Sequence, residues 1–530
     1  MKNPMMKNAI RLSLGLLVGT VSVLAGNPAV AQAVSATQEP RIDIARYVID
    51  GETDLSPAEL QGVLAPFSGE QRSLTDIEQA ARALEKYLHE QGYVFLRVYI
   101  PAQKPSQGVV TLRVIRFSLA NVSVVGNEHF SAENVRRSLP GLKEGTSPEM
   151  RGIGRELSAA NVNPSKQAAI TFREGGKPET VDAEIRVRDV RPLNIFAGYT
   201  ANKVVEPRNE TPGLYRLTVG VQHSNLFDRD HVATLSYTTD PGHVSSVTLL
   251  GAYYQLPVYG RGLTLSAYYT YSDVDSGRVQ QGGGFFDLSG KGRFYGVRLT
   301  QALSRIGNTQ QTLGIALDER YFENSSTFAG VKIQPDVASR PLSLKYAIQQ
   351  EGQWGSAGGS IEYVTNLKGG AANNRRDYQL NGGDHSWDAW RYAADLSLDR
   401  GHWNFGGRFR GQWSNDTLIA GEQFGIGGPY SVRGFGDREL VGDYGYSWSI
   451  EAKAPEVLMA QLRPVMFVDG GEAHSRAIRS TERVLSAGAG LRWSSNQVDA
   501  ALDLARVLDR NSLNPDNPRT RLHFSLFYRF

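Results

Sequence analysis

The sequence predicts a membrane β-barrel of about sixteen antiparallel strands, preceded by two α+β modules. Three observations predict it. A strand–helix–helix–strand–strand pattern occurs twice, and equivalent positions keep one offset: Gly51 with Gly126 and Ser56 with Ser131, 126 − 51 = 131 − 56 = 75. From Asn194 onward the helix signals vanish. Segments of about ten alternating residues follow, separated by Gly, Asn, Asp and Pro clusters. After the N-terminal leader no apolar run approaches the roughly 20 residues of a membrane helix. A mature chain embedded in a membrane must therefore cross it as a closed barrel, the other structure that satisfies every backbone polar group in lipid.

The elements follow in chain order. Lys2, Lys7 and Arg11 form a basic start, Leu12 to Gly26 is apolar, and Ala29-Val30-Ala31 is a small-x-small cleavage site. Residues 1–31 read as a secretory signal peptide. Its loss takes the basic residues from 57 to 57 − 3 = 54, equal to the 54 acidic ones. A mature net charge of zero gives no reason to expect a nucleic-acid partner. The chain has no cysteine, which excludes disulfides, thiolate metal sites and cysteine nucleophiles. Residues 32–41 form a short N-terminal segment.

The first module spans 42–117. Arg46–Asp50 is a strand ending at Gly51. Ser56, Pro57 and Glu59 open a helix as N-cap, first-turn proline and capping-box partner. A second helix is expected from the Thr75…Glu78 capping box, with Ile77, Ala80, Ala81, Leu84, Tyr87 and Leu88 on its apolar face. Gly92 stops it. Tyr93–Ile100 and Val109–Arg116 complete the module as strands. The second module spans 118–191. It has a strand at Val122–Val125, a short helix capped by Ser131, a helix opened by Ser147-Pro148, and strands at Gln167–Arg173 and Thr180–Arg188.

Residues 192–530 form the barrel. In the last segment Leu522, Phe524, Leu526, Tyr528 and Phe530 share one face; His523, Ser525 and Arg529 share the other, with Phe527 the exception. In Val484–Ser494, Leu485, Ala487, Ala489, Leu491 and Trp493 oppose Ser486, Gly488, Gly490 and Arg492. In Tyr444–Lys453 the aromatics oppose Ser447, Ser449, Glu451 and Lys453. Apolar-out, polar-in alternation suits strands between lipid and a wet lumen.

A long loop, 415–442, falls between the eleventh and twelfth strands. It holds the stretch QFGIGGPYSVRGFGDRELVG from Gln423 to Gly442, with Val432, Arg433, Gly434 and Phe435 at its centre. The thirteenth strand carries Phe467-Val468-Asp469-Gly470-Gly471. An arginine on a glycine-rich loop and an aspartate on a strand can pair and fix the loop; Glu451 is a second candidate acceptor. In a water-filled lumen the pair is expected to be only partly desolvated, so that it positions the loop more than it stabilises the fold.

Enzyme signatures are missing: there is no G-x-S-x-G, H-E-x-x-H or P-loop. Ser289-Gly290-Lys291-Gly292 reads as a hairpin turn. The nine histidines are scattered, with no metal-ligand spacing. No catalytic residue, metal or cofactor is expected.

Each repeat resembles a POTRA module, a fold whose open sheet edge can take up an extended peptide as an added strand. The leader, two such modules, the barrel, VRGF and the following FVDGG together resemble the two-partner secretion transporters. These are the TpsB or haemolysin-activator family, a branch of the outer-membrane insertase superfamily. The resemblance implies a Gram-negative outer-membrane protein with its modules in the periplasm, in contact with outer-membrane lipid. It implies capture of one large unfolded partner protein through that partner's N-terminal two-partner secretion domain, and export through the barrel. It also implies that the loop folds back into the lumen and that Arg433 contacts Asp469, with Val432, Gly434 and Phe435 completing the loop motif and Phe467 and Gly471 the strand motif. Phe530 is expected to belong to a signal read by the barrel assembly machinery. The alternative is an outer-membrane barrel assembly or insertion factor; such factors usually carry more modules. Many family members begin with a pore-plugging helix and a long linker. Gln32 to Ile42 is too short and polar for both, so the resemblance leaves the plug open for this chain.

Overall fold

The computed structural model describes residues 41–530 apart from 105–106, 206–212, 245–246, 275–276, 282–283, 289, 325–326, 329–330, 333, 458–460 and 511–518. The leader and the short segment after it, except Arg41, lie outside the described residues, as does Ser289.

Each module is a three-stranded sheet under two helices. In the first, strand Arg46–Asp50 pairs in parallel with Val109–Arg116, which also carries Leu96–Tyr99 antiparallel. In the second, Ser118–Val125 pairs in parallel with Thr180–Asp189, which carries Lys166–Glu174. Equivalent positions in the two copies solve the same steric problem. Gly51 and Gly126 both have positive φ, 124° and 80°. A Cβ at either would run into a carbonyl of the central strand, Val114 O in one module and Val187 O in the other.

Several boundaries differ from the sequence expectation. Helix Pro57–Leu64 begins as expected, with the full Ser56–Glu59 capping box. The next helix, Leu74–Glu90, starts earlier than expected. Ser73 is its N-cap and Asp76 the reciprocal partner, because aspartate reaches the N-cap amide as well as glutamate does. Tyr87 is only half-buried on its face. The strand expected from Tyr93 begins at Leu96, since Tyr93–Phe95 turn out of the helix. The second module's later helix runs Met150–Ala160 and is capped by Glu149, which accepts from the amides of Arg151 and Gly152. A small extra sheet of Ile42–Ile44 and Gly69–Arg72 gave no pattern long enough to read.

The barrel closes with sixteen strands. They run from Leu193–Val204 to Thr520–Arg529, and these two pair with each other. The eighth is interrupted at Arg340: Val337–Ser339 and Pro341–Gly352 both pair with Thr309–Phe322. Phe530 extends the seam, its N–H donating to Ile195 O at 2.8 Å. Side chains alternate as lipid and lumen require. In strand Leu462–Ser475, Met466 and Val468 face outward while Val465, Phe467 and Asp469 are buried inside. Phe527, the exception in the last strand, stacks on Phe196 across the seam at 5.5 Å. Gly220 makes that room, because a Cβ there would overlap the Phe196 ring. Gly290 and Lys291, expected in a hairpin turn, instead follow the small hairpin Gly277–Leu288 and lead into strand Gly292–Ala302.

The second module is docked on the first short turn of the barrel, Phe227–Asp230. Phe227, Asp228 and Asp230 all have positive φ, a conformation costly without glycine. The module holds them there. Lys166 Nζ lies 2.6 Å from Asp230 Oδ2 and donates to Asn134 Oδ1 at 2.8 Å. The Tyr259 hydroxyl also donates to Asp230. Both ions are fully buried. Burial lowers the lysine's affinity for its proton, and the aspartate beside it pulls the other way. Asn163 donates to Ser224 O at the end of the preceding strand, and Asn134 to Asp228 O in the turn.

Lys166→Ala leaves Asp230 buried without its counter-ion, which costs about 3–5 kcal/mol of docking. The connection between Asp189 and Leu193 should then become protease-sensitive in the detergent-solubilised protein. The neutral double variant Lys166→Met/Asp230→Asn, whose asparagine tolerates the positive φ of 60° at that position, should recover part of the protection. Equal resistance of the single variant and the parent would contradict this joint.

Candidate functional site

The longest loop among the described residues, 414–443, turns back into the lumen instead of extending beyond the barrel. Its neck is a short ladder, Phe424–Ile426 with Leu440–Gly442. Asp443 ties the base: its carboxylate accepts from the amides of Leu418 and Arg476 at 2.7 and 2.6 Å.

Each residue of the Val432–Phe435 stretch does a different job. Val432 and Phe435 are buried in a small apolar cluster with Ile426, Leu440, Ala473, Val484 and Val507. This cluster sets the depth of the loop. Gly434 turns the chain with φ 93°, and a Cβ there would press on Val507 Cγ2 at 3.3 Å. Its amide donates to His523 Nε2 at 3.1 Å, which fixes that nitrogen as the acceptor and joins the loop to the last strand.

Arg433 lies between the two apolar residues and points at the wall. Nε and Nη2 donate to Asp469 Oδ2 and Oδ1 at 2.7 and 2.8 Å, a two-point contact matched to the planar guanidinium. The arginine's own amide also donates to Asp469, at 3.1 Å. Nη2 reaches Ser449 Oγ at 3.1 Å, and Nη1 lies 2.7 Å from Glu451 and 3.4 Å from Asp503. The guanidinium carbon sits 3.4 Å over the Phe467 ring. Arg492 braces Asp503 from the other side at 2.7 Å, and Lys453 lies 4.0 Å from Glu451; Arg408 stands on the same wall.

The structure thus brings together Arg433, Asp469 and Phe467, and places Glu451 as a further acceptor. Gly471 makes space for the loop: a Cβ there would meet Tyr446 O at 2.7 Å and Ile426 Cδ1 at 3.2 Å. One expectation fails. The pair is not partly desolvated; Arg433 is 1% exposed and Asp469 0%. The apolar cluster and Phe467 exclude water from it. Asp503, Ser449 and His523 were not foreseen as partners. Their only sequence signal is polar placement on the inward face of alternating strands. Phe530 lies apart from this site at the seam, 67% exposed, with its ring edge on Tyr528 at 4.4 Å. Among the described residues no cluster of His, Asp and Glu could hold a metal ion.

Comparison with known proteins places this geometry among relatives. The family model described as haemolysin secretion/activation protein ShlB/FhaC/HecB matches residues 208–493, and a ShlB-type POTRA domain matches residues 42–116. The haemolysin transporter protein ShlB of Serratia marcescens is 26% identical over 492 residues, covering 90% of this chain and 84% of that protein. The outer membrane transporter CdiB of Escherichia coli is 24% identical over 490 residues, covering 88% and 79%. The solved structure of CdiB from Escherichia coli superposes with a TM-score of 0.75 at 19% identity over 94% of this chain and 93% of that one.

Arg433→Ala and Asp469→Ala should each release the loop from the lumen while a heat-modifiable barrel remains in the membrane. The readout is cleavage at Arg438 by trypsin added to intact cells. The double variant should be cleaved little more than either single one, because the two residues act through one contact. Cleavage no greater than in the parent would contradict the role of the pair.

Proposed function

We infer the working of this chain from its membership of the haemolysin secretion/activation (ShlB/FhaC/HecB) family, the outer-membrane transporters of two-partner secretion. The barrel spans the outer membrane and the POTRA modules lie in the periplasm. Its partner is a large secreted protein, recognised through an N-terminal two-partner secretion domain, taken up unfolded by the modules and passed through the barrel to the surface. The observation that carries this reading is a barrel whose lumen is crossed by a seated loop, with the second of two modules docked on one of its short turns. Arg433 and Asp469 hold the loop in its resting position, Val432, Gly434 and Phe435 shape it, and Phe467 and Gly471 form its seat. Two modules suit a transporter better than an assembly factor, which usually carries more.

The open edges of the module sheets differ in what covers them. In the first module Glu85 accepts from the Val98 amide at 2.9 Å and His89 lies 3.0 Å from Leu96 O, so helix side chains occupy that edge. Gln61 caps Tyr47 O on the other edge. In the second module Glu144 and Arg136 take both backbone groups of Val122. On strand Lys166–Glu174, Asn161 takes both groups of Ala168, but no side chain among the described residues caps Ile170 or Phe172. This is the longest uncapped stretch, and it lies at the junction of the modules, where Phe172 packs edge-on against Phe95 at 4.8 Å. We assign it as the edge that receives the partner as an added strand.

Proline at Ile170 removes an amide that the fold does not use. In the full-length protein it should weaken binding of the partner's N-terminal domain about fivefold or more, in line with losing a backbone hydrogen bond of about 1 kcal/mol and its neighbours. Proline at Val98 should leave the affinity near that of the parent. Unchanged affinity with Ile170→Pro would move the binding surface elsewhere.

Phe530 is proposed as part of the signal that the barrel assembly machinery reads, as the exposed aromatic end of the closing strand. Deleting it should lower the amount of heat-modifiable barrel in the outer membrane; undiminished barrel would count against the assignment.

A further inference from the structure

The loop carries a second buried charge, Glu422, on the limb that descends before the glycines. It is 2% exposed. Oε2 accepts from Arg320 Nη1 at 2.9 Å and Arg391 Nη2 at 3.0 Å, and Oε1 accepts from Ser339 Oγ at 2.6 Å. These three residues stand on the seventh, tenth and eighth barrel strands. Just before Glu422, Leu418 and Ile419 enter an apolar cluster with Phe294, Phe322, Val364, Tyr378 and Trp387.

This side of the lumen is not the side that holds Arg433. Asp469, Glu451 and Asp503 stand on the thirteenth, twelfth and fifteenth strands, and His523 on the sixteenth. The loop therefore carries an anion into two arginines on one wall and an arginine into three carboxylates on the other. We propose that Glu422 is the second anchor of the loop, and that the loop is a tie between two separate walls that keeps the lumen shut only while both ends are seated.

The division of contacts favours an anchor over a general role in wall stability. Arg320 keeps Asp318 at 2.8 Å and Arg391 keeps Gln412 at 2.8 Å, both without the loop. Glu422 has no such alternative, since its side-chain partners among the described residues all belong to that wall. Removing its charge should free this limb and leave the barrel built. Opposite charges at the two ends also fix which limb goes to which wall, because exchanging them would set like charges together.

The test uses the full-length protein in planar bilayers and in cells, where the pore readout needs no partner protein and so stands apart from the transporter reading. Glu422→Gln should insert as a heat-modifiable barrel and raise the fraction of time spent open about tenfold or more, the shift expected when one charge-assisted contact of a two-state element is lost. Cells carrying it should become sensitive to a large antibiotic such as vancomycin. Glu422→Asp, which keeps the charge, should lie nearer the parent. Should the glutamine variant not insert, Arg391→Gln removes one guanidinium without altering the loop and should shift opening in the same direction by less. A folded Glu422→Gln or Arg391→Gln barrel that opens no more than the parent overturns the proposal. Equal opening by the Gln and Asp variants overturns it as well, since charge would then not matter.

Discussion

Arg433 carries a full positive charge to the middle of the barrel wall, into a place from which water is excluded, and much of the site depends on that act. A buried guanidinium is tolerable only with its fork filled, and here Asp469, Ser449, Glu451 and Asp503 fill it from three strands. The carboxylates are as dependent on the arginine as it is on them, because they stand close together on the inward face. This reciprocity makes the seated loop a discrete state. A loop held by apolar contact alone could slide in small steps; a loop held by a two-point ionic contact is seated or unseated.

The same physics recurs at the periplasmic mouth. Lys166 leaves a module sheet to meet Asp230 on a turn that carries three positive-φ residues. The docked module and the seated loop are thus two ion-locked contacts on one barrel. Between them lies a lumen lined by small and polar residues such as Ser356, Gly358, Ser360, Gly406 and Ser449, with a cavity of about 500 Å³ on one side. Such walls offer an extended chain few apolar places to stick. The apolar groups are spent instead outside the barrel and in the two clusters that grip the loop.

How much of this was legible depended on periodicity. The alternation in Tyr444–Lys453 and Thr520–Arg529 announced which face meets lipid, and the 75-residue offset announced the repeat because both Gly51 and Gly126 meet a carbonyl that forbids a side chain. Arg433 and Asp469 were legible as a pair because each lies in a short glycine-rich motif. What escaped were contacts between distant inward-facing residues: Asp503, His523 and Ser449 look like any lumenal polar residue until register sets them beside the loop. Glu422 escaped for the same reason, since a lone glutamate before a glycine-rich stretch reads as solvated. The degree of burial at Arg433 was also missed, because it comes from Val432 and Phe435 packing against strands far away in sequence.

We propose that the Arg433–Asp469 contact connects the seated loop to export. It is tested most directly by measuring secretion of the partner protein in cells carrying Arg433→Ala, Asp469→Ala, the double variant and Arg433→Lys, with barrel levels matched. Each alanine variant should secrete far less than the parent, the double variant no less than the singles, and the lysine variant should be impaired because a point charge cannot fill the two-point contact. Full secretion by both single alanine variants, or losses that add in the double variant, would contradict it.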